Sequence, residues 1–234
     1  MRRRLVLVAG ALVLAGCELP SFGAPDSASH EGNDVLSLWK GFFVAAIAVG
    51  LVVYGLMVFV TLRYRRRDDA LPRQKASNIP MEIIYTATPV VIVAVLFGVS
   101  IAAEQRLTHT DARPEMSVTV TSFQWGWKFE YADQHITVTG TGEQPPPALV
   151  LPVDQKVQLV LHTADVIHSF YVPNFLEKRD LIQGIDNRVD ITPNQIGQFT
   201  GHCAEYCGLD HWRMNFVVDV RSRADFDKWV ASQR

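Results

Sequence analysis

Two runs of the chain carry no charged residue: residues 41–62 and residues 83–103. As α-helix, runs of this length reach roughly 30 Å, about the thickness of a bilayer's hydrocarbon core. Inside hydrocarbon every backbone polar group must be satisfied within its own segment, so a spanning stretch of this kind has to be helical. Pro89 falls inside the second run. It reads as a kink that neighbouring helices accommodate. Between the runs lie Arg63, Arg65, Arg66, Arg67, Arg73 and Lys75 against Asp68 and Asp69. That bias predicts a cytoplasmic loop over 63–79 joining transmembrane helices over 37–62 and 80–105, with both chain ends facing outward.

The N-terminus gives the same topology independently. Met1-Arg2-Arg3-Arg4 precedes an uncharged stretch over 5–16. About 18 Å of helix is too short to span, so residues 1–16 read as an export signal. The stretch ends in Leu14-Ala15-Gly16-Cys17, which resembles the lipobox of bacterial lipoproteins. The resemblance implies cleavage before Cys17 and a diacylglyceryl group on its thiol, a lipid anchor in the membrane. Residues 17–36, with Pro20, Gly23, Pro25 and Gly32, read as an extracytoplasmic linker.

Beyond Glu104 the texture changes to short alternating stretches over 117–121, 149–153, 157–162, 188–192, 198–201 and 214–220, separated by Gly and Pro. These predict a β-sandwich or barrel over 106–234. Ser222 is placed to cap a closing helix carrying Phe226, Trp229 and Val230. The fold expected is therefore a membrane-anchored all-β protein, a two-helix hairpin followed by a β-sandwich or barrel. Lys and Arg number 22 against 24 Asp and Glu, which argues against nucleic acid as a partner. Three Cys, two of them four residues apart, do not make a disulfide scaffold. From Phe123 to Tyr131 every second residue is aromatic. One strand here would put five rings on one face.

The densest chemistry is Cys203-Ala-Glu205-Tyr-Cys207-Gly-Leu-Asp-His211-Trp-Arg-Met214, with His168 upstream. Thiolate, imidazole and thioether together suit copper, with the thioether as a long axial ligand. Zinc has little use for the Met, and a Cys203–Cys207 disulfide would leave the two His and the Met without a role. A mononuclear blue-copper site needs one Cys, so the second thiolate asks for two coppers bridged by both sulfurs. Each copper then takes one imidazole, while Met214 and a backbone carbonyl complete the shells weakly. Such a centre relays electrons. His162 and His202 read as structural.

The hairpin, the Cys-x-Glu-x-Cys-x-x-x-His-x-x-Met loop and the upstream His together resemble subunit II of the cytochrome c oxidases. The resemblance implies a cupredoxin-like domain and a dinuclear CuA centre held by His168, Cys203, Cys207, His211, Met214 and the main-chain oxygen of Glu205. It implies that the Glu205 carboxylate binds a magnesium or manganese ion shared with subunit I. The implied partners are subunit I with its haem and CuB, subunit III, and cytochrome c or a cytochrome c-bearing reductase. The implied activity is oxygen reduction coupled to proton pumping, with the oxygen chemistry in subunit I, at a bacterial cell membrane with the C-terminal domain outside.

By the same resemblance Trp125 is where electrons arrive, and Asp165, with help from Glu130, docks the lysine-rich face of cytochrome c. Glu82 stands at the mouth of a proton path, although as an acid in the first turn of a helix, with Asn78 as cap and Pro80 beside it, it also suits the helix dipole. Gly126 replaces an aromatic usual in the family, and Gln183 and Ile185 replace the Pro and Arg around Gly184. The function expected is the electron-accepting subunit of a haem-copper oxidase. Its rivals are a CuA subunit of a nitric oxide reductase, a lipid-anchored copper carrier or assembly protein, and the copper-free subunit II of a quinol oxidase, which lacks these ligands.

Overall fold

The computed structural model describes residues 21–67, 69, 71, 74–142 and 145–233. The export signal over 1–16 and the acylation site Cys17 lie outside the described residues. The chain divides into a helical unit, Ser37–Gln105, and a second unit formed by the residues before and after it.

Helix α1 (His30–Arg63) and helix α2 (Ile79–Leu107) carry the two uncharged runs. Most of their apolar side chains are exposed, Leu51 and Phe97 among them. A helix that is apolar all round is one made to be covered by lipid or by other helices. Pro89 sits within α2 without ending it. At the start of α2 the Asn78 side-chain oxygen accepts from Met81 N–H, and Glu82 reaches back to accept from Asn78 N–H at 2.8 Å. Two donors that the first turn leaves unpaired are thereby satisfied.

The second unit is a sandwich of two five-stranded sheets. One sheet holds β1 (Ser117–Phe123), β2 (Gly126–Tyr131), β3 (Ile136–Thr141), β5 (Val157–Thr163) and β8 (Asn187–Ile191), in the order β3-β2-β1-β5-β8. The other holds β4 (Ala148–Pro152), β6 (His168–Val172), β7 (Glu177–Leu181), β9 (Gly197–Cys203) and β10 (Asn215–Arg221), in the order β4-β10-β9-β6-β7. The period-2 alternation does its work on each strand: Val118 and Val120, Leu159 and Leu161, Phe216, Val218 and Val220 all point into the core. Tyr131 ties the sheets together, its buried hydroxyl donating to Val150 O at 3.0 Å and accepting from Val150 N–H at 2.7 Å. Helix α3 (Arg223–Ser232) closes the domain, with the Ser222 hydroxyl accepting from Asp225 N–H, Phe226 buried and Trp229 packed on Tyr131.

Two expectations need correction. The aromatic stretch is not one strand. β1 ends at Phe123 and β2 begins at Gly126, so the chain turns at Gln124 and Trp125. Only Trp127, Phe129 and Tyr131 share the buried face. Gly126 permits the tight turn, since a Cβ there would lie 2.6 Å from the Phe123 ring and 2.5 Å from Gly140 O.

The stretch before α1 is also not a free linker. Ser27, Ala28 and Ser29 are buried against the sandwich. Ala28 N–H donates to Asn174 O, Asn194 N–H donates to Ala28 O, and Ser29 bridges Pro193. Ser29 caps α1 by accepting from Gly32 N–H, and the Glu31 carboxylate accepts from both the N–H and the hydroxyl of Thr192, at 2.8 and 2.9 Å. The small residues of this linker suit a segment that lies close against the domain. A Cβ on Gly32 would fall 2.6 Å from Phe175 O.

Candidate metal centre

Three pieces of chain meet at one end of the sandwich: the last residue of β9, the first residue of β6, and the loop from β9 to β10. The loop's base is closed by Cys203 N–H donating to Met214 O at 3.0 Å, and its start by Ala204 N–H donating to Ser169 O. Antiparallel pairing of β6 with β9 sets Phe170 opposite Cys203, which brings His168 alongside the loop.

The donor atoms converge. Cys203 and Cys207 are free thiols with their Sγ atoms 3.9 Å apart. His168 Nδ1 lies 3.8 Å from Cys203 Sγ, and His211 Nδ1 lies 3.6 Å from Cys207 Sγ. Met214 Sδ is 3.8 Å from Cys207 Sγ, and the main-chain oxygen of Glu205 is 3.2 Å from Cys203 Sγ. His168, Cys203 and Cys207 form a buried cluster whose ligand atoms all lie within 4.8 Å of one another. A metal about 2.3 Å from each sulfur, the length thiolates make to zinc, fits between sulfurs this far apart. Soft sulfur with imidazole is the donor chemistry of copper. Residues and group therefore fit.

The two thiols are electrostatically unequal. Burial works against a Cys203 thiolate, but hydrogen bonds from the His168 side and from neighbouring backbone hold its thiol below the ordinary value. Cys207 is pushed up by burial and by the charge on Cys203. A bound cation would favour thiolate at both.

Asp165 faces inward. Its Oδ1 lies 2.9 Å from His168 Nε2 and its Oδ2 accepts from Gln124 N–H at 2.7 Å. Burial opposes its charge, but these hydrogen bonds, with that from Val166 N–H, hold the carboxyl below its ordinary value. Glu130, the other acid assigned to docking, is paired with Lys128 at 2.9 Å. Trp125 is half-buried against the loop, its indole N–H donating to Cys207 O at 3.3 Å. Gln124, which no motif flagged, donates through Nε2 to the same oxygen at 2.8 Å. Gly208 follows Cys207 at φ 121°, with Gln124 and Trp125 packed so close that a Cβ would meet them at 3.1 and 3.2 Å. The Glu205 carboxylate is exposed, 3.5 Å from Lys178 Nζ, which also binds Asp180 at 3.0 Å. His162 pairs with Asp186, and His202 packs edge-on against Tyr171. Glu82 lies in the helical unit, away from this cluster in sequence and engaged in its helix cap.

Two helices long and apolar enough to cross a membrane, followed by a β-sandwich with a buried sulfur–imidazole cluster in its terminal loop, define the class: a membrane-anchored β-sandwich protein with a candidate metal site. Residues 18–102 match the family model "Cytochrome C oxidase subunit II, transmembrane domain", and residues 146–221 match "Cytochrome C oxidase subunit II, periplasmic domain". The chain belongs to the cytochrome c oxidase subunit II family and is a membrane-anchored subunit of an oxidoreductase. It is 37% identical to a probable cytochrome c oxidase subunit 2 of Streptomyces avermitilis, over 95% of this chain and 84% of that one. It is 30% identical to cytochrome c oxidase subunit 2 of Mycobacterium bovis, over 96% and 79%. Among solved structures, the periplasmic domain of subunit II of the Bradyrhizobium japonicum cytochrome oxidase is 28% identical, covering 53% of this chain and 96% of that chain at a TM-score of 0.49.

Proposed function

We propose that this chain is the subunit through which electrons reach the oxidase: a dinuclear copper centre in the β-sandwich takes them from cytochrome c and gives them to haem in subunit I. The observation that carries this reading is the convergence of Cys203, Cys207, His168, His211 and Met214, two bridging-capable sulfurs flanked by one imidazole nitrogen each. Bound there, a copper pair would supply a one-electron couple that changes shape little between its two states.

The chain's own residues have separate tasks. His168 and His211 would hold the metals through Nδ1 beside the Cys203 and Cys207 sulfurs, with Met214 Sδ and the Glu205 carbonyl as the further donors. Asp165 fixes the His168 ring by accepting a hydrogen bond from its Nε2–H, the arrangement that orients a metal-bound imidazole. Trp125 connects the surface to the Cys207 carbonyl by one hydrogen bond, a short route inward from the point where a cytochrome would bind. Burial of His168, Cys203, Cys207 and Met214 keeps water from most of the site and lets these fixed groups set the potential.

The Glu205 carboxylate is this chain's contribution to a magnesium or manganese ion shared with subunit I, and Lys178 is the cation it must release to make that bond. Glu82 stands at the cytoplasmic mouth of a proton path. The membrane spans are residues 37–62 and 80–105, with the loop over 63–79 inside, the domain over 106–234 outside, and Cys17 carrying lipid after removal of residues 1–16. Subunits I and III and a cytochrome c or a cytochrome c-bearing reductase are the partners.

The test is copper analysis with electron paramagnetic resonance on the full chain in detergent. An unpaired electron shared equally by two copper nuclei is expected. One copper with a mononuclear spectrum, or none, overturns the reading.

A further inference from the structure

Met214 is held by its main chain more tightly than an ordinary loop residue. Its carbonyl accepts two N–H groups, from Cys203 at 3.0 Å and from the Trp127 indole at 3.3 Å, and its own N–H donates to His211 O at 3.2 Å. Trp127 has no freedom to follow a moving loop. It is fully buried, with its ring 4.9 Å from Phe216 and 6.2 Å from Phe170. On the other strand of the same hairpin, Gly142 follows β3 and lies directly against the backbone of Arg213–Asn215. A Cβ on Gly142 would fall 1.4 Å from Arg213 O, 2.5 Å from Arg213 C and 2.6 Å from Asn215 N. Pairing of Trp127 with Gly140 places the hydrogen-bond donor and the glycine at the same end of the β2–β3 hairpin.

We infer that Trp127 and Gly142 are positioning residues for the Met214 thioether: the end of the β2–β3 hairpin fixes the Met214 backbone and so sets where Sδ stands relative to the Cys203 and Cys207 sulfurs. This rests on the copper reading above. A weak thioether donor would not choose its own distance from a bound copper, so the protein chooses it, and the potential would follow. Glycine at 142 is required by the close approach of another backbone, and the tryptophan at 127 supplies a rigid N–H that phenylalanine lacks.

The test uses the copper-loaded full chain in detergent, comparing wild type with Trp127→Phe, Gly142→Ala and a control, Val157→Ala. Val157 is equally buried, but it sits at the end of β5 opposite to Asp165 and His168 and pairs with Ile191. Copper per chain, the hyperfine pattern and the reduction potential are read for each, with circular dichroism melting of the metal-free forms. Both hairpin variants should keep two coppers and show an upward shift in potential with altered hyperfine coupling, because a displaced thioether donates less to the oxidised centre. Val157→Ala should lower the melting temperature and leave potential and hyperfine at the wild-type values.

Potentials and spectra unchanged in both hairpin variants overturn the inference, and so do shifts that Val157→Ala reproduces or a failure of both variants to fold without metal. Loss of copper from both hairpin variants overturns it as well, since each is expected to keep two. A wild type that does not bind two coppers overturns the copper reading itself, a result distinct from all of these.

Discussion

Asp165 Oδ1 lies 2.9 Å from Nε2 of His168, on the side of the ring opposite to the nitrogen that faces Cys203. An acid placed three residues before a candidate ligand reads in sequence as surface charge for a docking partner. In the folded domain that charge is directed at the imidazole and at Gln124 N–H.

Asp165→Asn should therefore act on metal retention as well as on docking. Outer-shell partners of a metal-bound His are typically worth about 10–100-fold in affinity. Competition against a copper chelator should show a loss in that range, together with weaker salt dependence of reduction by cytochrome c. Wild-type retention with only the salt dependence changed would return Asp165 to a purely docking role.

Cys207→Ser should abolish the spectrum of the shared electron, because an alkoxide or hydroxyl does not bridge copper as a thiolate does. Met214→Leu should keep both coppers and raise the potential. Electron paramagnetic resonance and a redox titration read the two outcomes, and a dinuclear spectrum in Cys207→Ser would end the bridging reading.

Glu82 has a structural task and a proposed functional one, and two substitutions separate them. Glu82→Gln keeps an oxygen for Asn78 N–H and removes the acid, whereas Glu82→Ala removes both. In the assembled oxidase, Glu82→Gln should slow proton uptake with the hairpin intact. Uptake at the wild-type rate in Glu82→Gln would leave Glu82 as a helix cap.

Glu177 is pushed above its ordinary value of 4.5 by burial, against the pull of Arg179. A raised acid favours the protonated folded state, so its contribution is greatest below the unfolded value and is lost as pH rises through the folded one. The melting temperature of the wild type relative to Glu177→Gln should fall as pH climbs from 4 towards neutrality. A flat difference across that range would remove Glu177 from the pH response.

The helices were legible because hydrocarbon imposes a length and a composition that nothing else in the chain imitates. The donor set was legible because two thiols, two imidazoles and a thioether have few other uses in that combination. What holds the donors was hidden. Gln124, Trp127 and Gly142 act through contacts between strands distant in sequence, and such contacts leave no local pattern. The segment around Ser27–Glu31 misread for a related reason: small and polar residues are the signature both of a free linker and of a chain pressed against a surface. The alternation over Phe123–Tyr131 concealed a turn, since Gly126 kept the period while the backbone reversed.

His168 and Met214 are completely shut off from solvent, and Cys203 and Cys207 are nearly so. Metal transfer between proteins proceeds by ligand exchange, with an incoming donor bonded before an outgoing one leaves, and the four buried donors offer it no approach, which leaves the half-exposed His211 as the place to begin. Ions seated among these sulfurs would be at the end of their journey through the cell.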